Sequence, residues 1–213
     1  MSWNQLENYP KYKLQDEFYV KECDRSEYAK LSHFHYINEA MPTSFLCYGL
    51  YHRVNNILYG ISTYGLPLIS LEARNSTFLG KAIKRKYRTK TERLKAINKL
   101  VVCGQRLVIH PSIRGSGFAS FLINESHKQI SKPFIEHVSV QSFYNNFYPK
   151  GYEYFIKVSQ LQPLRYLYKN VDTGSDVRGR IRKRIKNAEQ KYGYALYVNR
   201  EILKLPQFSS ILF

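Results

Sequence analysis

Cysteine is scarce: the chain has three, Cys23, Cys47 and Cys103, an odd number with no close pair. That excludes a disulfide framework and a cysteine-based zinc site, and makes each residue most simply a small apolar group of the interior. Long apolar runs are absent too. None approaches the roughly 20 residues that a membrane span needs, and the polar opening Met1–Asn8 lacks the apolar stretch of a signal peptide. The expectation is a cytoplasmic protein with no membrane partner. Internal repeats and low-complexity tracts are missing. Acid is short: 16 Asp and Glu face 33 Lys and Arg, for a net charge of +17. What is abundant is aromatic. Nineteen Tyr and 12 Phe within a 44% hydrophobic composition supply a core, so 213 residues of high charge fold rather than stay disordered. The length suits one large domain, or one domain with an appendage.

The positive charge is concentrated. Lys81–Lys99 carries nine basic residues and one acid, and Arg178–Lys191 carries seven and one, so two segments hold +14 of the +17. Both are rich in helix formers, and Ile181 and Ile185 give the second a thin apolar stripe with arginines around the rest. Clustered Lys and Arg bind phosphate by counterion release, without sequence specificity. A solubilising helix face is the alternative for either cluster alone; two clusters in one small chain point to a polyanion, with DNA the first partner to test. The candidate nucleic-acid contacts are Lys84, Arg85, Lys86, Arg88 and Lys90 in the first segment and Arg178, Arg180, Arg182, Lys183 and Arg184 in the second.

Along the chain, Met1–Tyr19 is an arm or first strand, and Ser26 is placed to cap a short helix running towards His33–Tyr36. Phe45–His52 and Ile57–Tyr64, separated by Val54, Asn55 and Asn56, form a β-hairpin pattern. The first basic segment is a helix or ordered loop. A β-prone run, Leu100–Ile109, leads through Pro111–Gly117 into helical spacing over Phe118–Ile130. Phe134–Val140 and Tyr152–Val158 are strand candidates with a short helix, Ser142–Tyr148, between them. The tail holds the second basic helix and a strand candidate at Ala195–Val198. The order implies mixed α/β or α+β architecture.

The junction Val108–Ala119, VIHPSIRGSGFA, takes a strand through a proline and two glycines directly into a helix. The first amides of a helix lack internal partners and sit at the positive end of its dipole, and glycines let the backbone approach an oxygen. An ordinary tight strand–helix turn is the alternative. The turn is neither a Walker loop nor a dinucleotide fingerprint, because Gly-Lys-Ser/Thr and the third glycine are missing. Arg114-Gly-Ser-Gly-Phe-Ala119, in its setting of strand, turn and helix, resembles the Gln/Arg-x-x-Gly-x-Gly/Ala signature of the GNAT N-acyltransferase superfamily. The resemblance implies a GNAT fold, a mixed central sheet with splayed strands flanked by helices. It also implies acetyl-CoA or a related acyl-CoA as cofactor. Arg114, Gly115, Ser116, Gly117, Phe118 and Ala119 would hold the pyrophosphate, Leu107, Val108 and Ile109 the pantetheine arm, and Phe134–Ser139 would be the neighbouring strand. Asn145-Asn-Phe-Tyr-Pro-Lys-Gly151-Tyr is similar to the family's Asn…Phe-Tyr-x-x-x-Gly-Phe ending, whose tyrosine often protonates the leaving thiolate. One residue fewer separates Tyr148 from Gly151 here, so Tyr144 stands beside Tyr148 for that role; packing in an aromatic helix is the alternative for both.

Further upstream, His35-Tyr36, Gly60–Pro67, Arg74-Asn75, Asn98, Arg106–Pro111 and Ile135-Glu136 follow in the order of a GNAT branch that includes domains fused to ABC-type ATPases and resembles the phage Mom DNA-modification proteins. The resemblance spans about residues 30–156 of the chain. It implies a N-terminal arm over 1–25, an acyltransferase core over 26–158 and a basic C-terminal extension over 159–213, packed on or beside the core. It also implies a phage-type enzyme of the host cytoplasm, placing a carbamoylmethyl group on N6 of adenine in DNA and protecting it from restriction. An N-acetyltransferase for RNA or basic protein, and a binding module that has lost turnover, are the alternatives.

Acyl transfer to an amine asks for a base, a donor for the thioester oxygen and an acid for the thiolate. His110 and Glu136 are the acid–base candidates beside Tyr144 and Tyr148. His35, His110 and Glu136 are weak candidates for a two-histidine, one-carboxylate Fe(II) set, with turn and packing roles as the alternative. A base in duplex DNA must be flipped out before it can react, and Tyr48, Tyr51, Tyr64 and Tyr144 are candidates to stack on it.

Overall fold

The structure, a computed structural model, describes residues 14–35, 44–68, 71–139, 152–158 and 192–212. The architecture is mixed α/β, as expected. Two compact units make up the chain, residues 1–65 with 104–130 and residues 66–103 with 131–213.

In the first unit, β1 (Phe18–Glu22), β2 (Ser44–His52) and β3 (Leu58–Gly65) form an antiparallel meander, pairing Phe18 with His52, Glu22 with Tyr48, and Cys47 with Thr63. The expected hairpin is β2–β3. Its turn closes on two asparagines: Asn55 Oδ1 accepts from the Ile57 amide at 3.1 Å, and Asn56 takes a positive φ of 57°, which Asn tolerates better than most residues. Between β1 and β2, Asp24 rather than Ser26 is the cap. Its carboxylate accepts from the Ser26 amide at 2.7 Å and starts a short 3-10 turn that continues into α1 (Tyr28–Leu31). The carboxylate two residues upstream makes the local bond that the serine hydroxyl was expected to make.

The chain re-enters this unit along β4 (Val101–Ile109), whose residues from Gly104 onward follow β3 in the order β1-β2-β3-β4. It then turns into α5 (Phe118–Gln129). Phe118, Leu122, Ile123 and Ser126 recur at helical spacing and are buried, and Phe118 meets Phe18 edge-on at 4.6 Å. The interior approach is close at Gly60, where a Cβ would lie 2.8 Å from Ile109 Cδ1 and 3.3 Å from the Val108 carbonyl oxygen.

In the second unit the basic segment is two helices rather than one. α2 (Glu72–Ser76) leads into α3 (Phe78–Lys86), and after a break at Tyr87–Thr89 the chain resumes as α4 (Lys90–Leu100). Leu79 and Ile83 of α3 and Ala96, Ile97 and Leu100 of α4 turn inward, which sends most of the lysines and arginines outward. In this unit β5 (Phe134–Ser139), β6 (Tyr152–Val158) and β7 (Tyr192–Val198) stand in the order β5-β7-β6. β7 comes from the tail, yet it pairs antiparallel with β5 on one side and β6 on the other, setting Glu136 against Leu196 and Lys157 against Gly193. That part of the expected C-terminal extension is therefore woven into a sheet rather than laid beside it. α6 (Arg200–Lys204) and α7 (Pro206–Leu212) follow, with Ile211 and Leu212 in the same core as Leu79, Phe134 and Leu196. Among the described residues no helix is long and apolar enough to cross a membrane.

Candidate functional site

The strand–turn–helix junction of the first unit is built as the sequence predicts. β4 ends at Ile109, Pro111–Ile113 makes one 3-10 turn, and α5 starts at Phe118 with Gly117 as its N-cap. Gly115 and Gly117 have φ of +82° and +81°, the left-handed region that glycine adopts at no steric cost. No side chain caps α5. The loop Arg114–Gly117 is exposed, and a Cβ on Gly115 would meet nothing within 4 Å, so open space lies over the turn. Exposed backbone, positive-φ glycines and an uncapped 12-residue helix form a cradle that suits an anionic oxygen. Of the expected pantetheine residues, Val108 and Ile109 are buried and Leu107 is half-buried; Phe118 is buried and Ala119 half-buried.

Arg114 has a different job from charge alone. Its Nε donates to the Ile109 carbonyl and its Nη2 to the Phe34 carbonyl, each at 2.8 Å, so the guanidinium ties the turn to the end of β4 and to the segment after α1. His110 is held as a turn residue. Its Nδ1 accepts from the Ser112 amide at 3.3 Å and lies 2.7 Å from the Ser112 hydroxyl. An amide can only donate, so the neutral ring carries its proton on Nε2. The ring stands edge-on to Phe34 at 4.9 Å and to Tyr59 at 5.6 Å. Beside it opens a pocket of about 570 Å³, whose walls include Glu27, His33, Phe34, Tyr51, Ile57 and His110. Sequence reasoning missed Glu27, Phe34 and Ile57 because they come from three segments brought together only by folding.

No family model matches the chain, and no curated protein matches it. Solved structures give distant likenesses. One is Arabidopsis thaliana NAA60 in complex with acetyl-CoA, 12% identical over 85% of this chain and 99% of that chain, with a TM-score of 0.44. Another is a GNAT family acetyltransferase from Elizabethkingia anophelis with acetyl-CoA bound, 7% identical over 86% of this chain and 99% of that one, TM-score 0.41. The ribosomal-protein-S18-alanine N-acetyltransferase from Escherichia coli is 7% identical over 85% of this chain and 93% of that one, TM-score 0.39. At such values, what the site can do is read from this chain's own residues.

In the second unit, Glu136 sits in the middle of β5 and is fully buried, with 0% of its surface exposed, and Arg74 of α2 with 1%. The arginine grips it as a fork, Nε to Oε2 at 2.9 Å and Nη2 to Oε1 at 2.5 Å, while Nη2 also donates to the Leu68 carbonyl at 2.9 Å. The Tyr194 hydroxyl from β7 adds a third donor at 3.4 Å. Burial pushes the Glu136 carboxyl up from its ordinary range, and the Arg74 fork and Tyr194 pull it back. This geometry corrects the metal expectation. Glu136 gives both oxygens to Arg74, and among the described residues no three His, Cys, Asp or Glu side chains come together as a metal site. His35 and His110 belong to the other unit. Cys103 is buried near the same pair and burial holds its thiol protonated, well above the ordinary range; no disulfide joins the three cysteines, and Cys23 is only half-buried.

Two of the stacking candidates are corrected as well. Tyr48 and Tyr64 are 2% and 0% exposed, core residues with no face to offer a base; Tyr51 is buried too, although it lines the pocket. Tyr144 and Tyr148 lie outside the described residues, as do Arg178, Arg180, Arg182, Lys183 and Arg184. Of the first basic cluster, Lys84, Arg85, Lys86, Arg88 and Lys90 are exposed, but the Lys86 ammonium donates to the Ser210 carbonyl at 2.6 Å. Arg93 folds back to the Tyr87 and Arg88 carbonyls at 2.8 and 3.1 Å, which removes it from the outward set.

Proposed function

We propose that this chain is an acyl-CoA-dependent transferase of the GNAT type whose acceptor is a nucleic acid, with the N6 amine of adenine in DNA as the first acceptor to test. One observation carries the transferase part: the cradle at Arg114–Phe118, where two positive-φ glycines open directly into a helix that no side chain caps. Its fit to a diphosphate is local, resting on open space above Gly115 and on exposed backbone. When bound, acyl-CoA supplies an acyl group activated as a thioester. The chain's own residues divide the remaining work. Gly115–Phe118 holds the diphosphate, Arg114 fixes the turn, Leu107–Ile109 lines the arm, and Tyr144 or Tyr148 supplies the thiolate's proton. Glu136, held by Arg74, orders its unit rather than exchanging a proton with substrate.

Support for a nucleic-acid acceptor comes from α3, α4 and the break between them, where Lys84, Arg85, Arg88 and Lys90 are exposed while the apolar residues of the two helices turn inward. Two measurements test the reading. Calorimetry of the full chain with acetyl-CoA should show binding that Gly117→Val abolishes. Mass spectrometry of nucleosides from the DNA of expressing cells should show a modified adenosine. An unmodified profile from a protein that binds acetyl-CoA would remove DNA as acceptor, and acetylated RNA or basic protein in the same cells would replace it. Lys84→Glu with Arg85→Glu should weaken DNA binding and flatten its dependence on salt, leaving acetyl-CoA affinity unchanged.

A further inference from the structure

Cys23 and Cys47, distant along the sequence, are brought face to face by the register of β1 and β2. The pairing sets Phe18 opposite His52 and Glu22 opposite Tyr48. The ladder runs one residue further, since the Cys23 amide donates to the Cys47 carbonyl at 2.9 Å. At the other end the Arg53 amide donates to the Glu17 carbonyl at 2.8 Å, in the same phase. Cys23 and Cys47 are therefore directly opposite, and opposite residues of an antiparallel pair share one face of the sheet. A hydrogen-bonded pair of this kind holds its Cα atoms roughly 5.5 Å apart, inside the span of about 4.4–6.8 Å that a disulfide bridges. The two Cβ atoms need to draw together slightly to bond. Cys23 supplies that movement, because it lies just past Glu22, the last residue of β1.

The same face shows what surrounds the pair. Gly49, opposite Lys21, has no side chain, and the Tyr51 ring fills its place: a Cβ on Gly49 would lie 2.5 Å from Tyr51 Cε2. Lying along the strand, Tyr51 brings its hydroxyl to the Cys23 sulfur, where it donates a hydrogen bond. Lys21 closes over the ring, with Nζ 4.6 Å from its centroid. Cys47 is 3% exposed and Cys23 half-buried, so an oxidant reaches Cys23 first. Burial, with Cys47 beside it, pushes the Cys23 thiol up to about 12, while the Tyr51 bond pulls it down. Little thiolate is present at neutral pH, and attack on an oxidant is slow. The same property makes Cys23 a poor leaving group, so a disulfide once closed is also slow to be reduced. These features describe a durable bond rather than a rapid sensor.

We infer that Cys23 and Cys47 form a site of reversible oxidative modification, closing an intramolecular disulfide between β1 and β2 when the protein meets hydrogen peroxide. The inference stands apart from the transferase reading and does not depend on it. In the first step the Cys23 sulfur attacks the peroxide, the O–O bond breaks, the thiol's proton leaves with the departing oxygen as water, and Cys23 carries a sulfenic acid. The Cys47 sulfur then attacks the Cys23 sulfur. The S–S bond forms, the S–O bond breaks, and the Cys47 proton leaves with the hydroxyl as a second water. Two thiols give up two electrons and one peroxide takes them. The test treats the full chain, purified reduced, with a small excess of hydrogen peroxide, then counts thiols by alkylation after unfolding and maps the peptides by mass. The reduced chain should be alkylated at all three cysteines. The oxidised chain should be alkylated at Cys103 alone, lose two hydrogens in mass and yield a peptide pair joining Cys23 to Cys47, and dithiothreitol should restore all three thiols. Cys23→Ser should abolish the bridge and Cys103→Ala leave it intact. Oxidation should raise the urea midpoint of the parent, because the bridge restricts the unfolded chain, and leave that of Cys23→Ser unmoved. Three thiols still alkylated after peroxide, a sulfinic acid at Cys23 with Cys47 still alkylated, a bond to a second chain or a bridge that includes Cys103 would each overturn the inference. The peptide map of the parent decides the pairing whether or not a variant folds.

Discussion

Two helices of nearly equal length end in opposite ways. α4, of 11 residues, is closed at both ends. At its start the Thr89 hydroxyl accepts from the Glu92 amide at 3.2 Å while Glu92 Oε2 accepts from the Thr89 amide at 3.0 Å, and at its end Lys132 Nζ donates to the Asn98 and Lys99 carbonyls at 3.0 and 2.9 Å. These bonds to Thr89 hold the Glu92 carboxyl below its ordinary range. α5, of 12 residues, begins at a glycine with no capping side chain. The same contrast extends to charge: Arg74 and Glu136 are buried against each other, whereas the pocket of the first unit is walled by Glu27, His33 and His110 at a solvent-accessible place. The lesson is that a polar group's partners, rather than its type, separate structural from functional positions. In the fork both Glu136 oxygens are taken by Arg74 Nε and Nη2, while the buried Nη1 has no hydrogen-bond partner, so the carboxylate leaves chemistry little to use.

Removing one partner of the buried fork should have the largest effect. Arg74→Met leaves the Glu136 carboxylate without its cation and should cost about 3–5 kcal/mol in urea unfolding. Combining Arg74→Met with Glu136→Leu should recover most of that loss, because the pair costs desolvation that an apolar pair does not. If instead Glu136→Gln kept full stability and abolished turnover, Glu136 would belong with the open groups and the contrast would fail at its strongest point.

Acid should reach the closed interior next. Burial pushes His137 of β5 down to about 3, below the ordinary value of roughly 6.5. The unfolded chain takes up this proton as pH falls through about 6.5, whereas the folded chain resists until about 3. The stability that a neutral His137 allows is therefore complete above pH ~6.5 and falls by about 1.4 kcal/mol per unit below it. Between pH 7 and pH 5 the loss should be roughly 2 kcal/mol, and His137→Gln should flatten it. An equal slope in the variant would assign the acid sensitivity to other groups.

Much of this was legible in the sequence, and the limits have physical causes. Local patterns carried through: the hairpin over Phe45–Tyr64, the strand before Pro111, the glycine turn and the helix from Phe118 all depend on alternation, turn chemistry and helical spacing within a few residues. The break between α3 and α4 is less legible: Thr89-Lys-Thr-Glu92 spells a capping box, but it lies inside a continuous run of helix-forming lysines and arginines that carries no Gly or Pro to mark a stop. Glu136 was singled out as an acid–base group, and Arg74 only as part of a motif. Their pairing spans 62 positions and no local pattern reveals it. The same holds for β7, whose place between β5 and β6 is a matter of long-range register. The pocket around Phe34 was invisible for the reason already seen in the fork: its residues are neighbours only after folding.

The smallest effects sharpen the contrast most directly, because they set the two helix starts side by side. Thr89→Ala removes one hydroxyl cap from α4 and should cost about 1 kcal/mol. Gly115→Ala places a Cβ in open space, so its cost is only that of a positive φ, again about 1–2 kcal/mol. By chemical denaturation the two variants should be hard to tell apart. By calorimetry with acetyl-CoA they should separate: Thr89→Ala binds as the parent does, since its lost bond was internal to α4, whereas Gly115→Ala binds more weakly because the strained turn no longer holds its amides in place. Gly115→Asn divides that result further. Asparagine visits the left-handed region at lower cost, so stability should stay closer to the parent while the added side chain occupies the space over the turn. Loss of acetyl-CoA affinity without loss of stability would then come from occupied space alone. An affinity that simply tracks stability across all three variants would mean that the start of α5 is only a helix end, and no cradle.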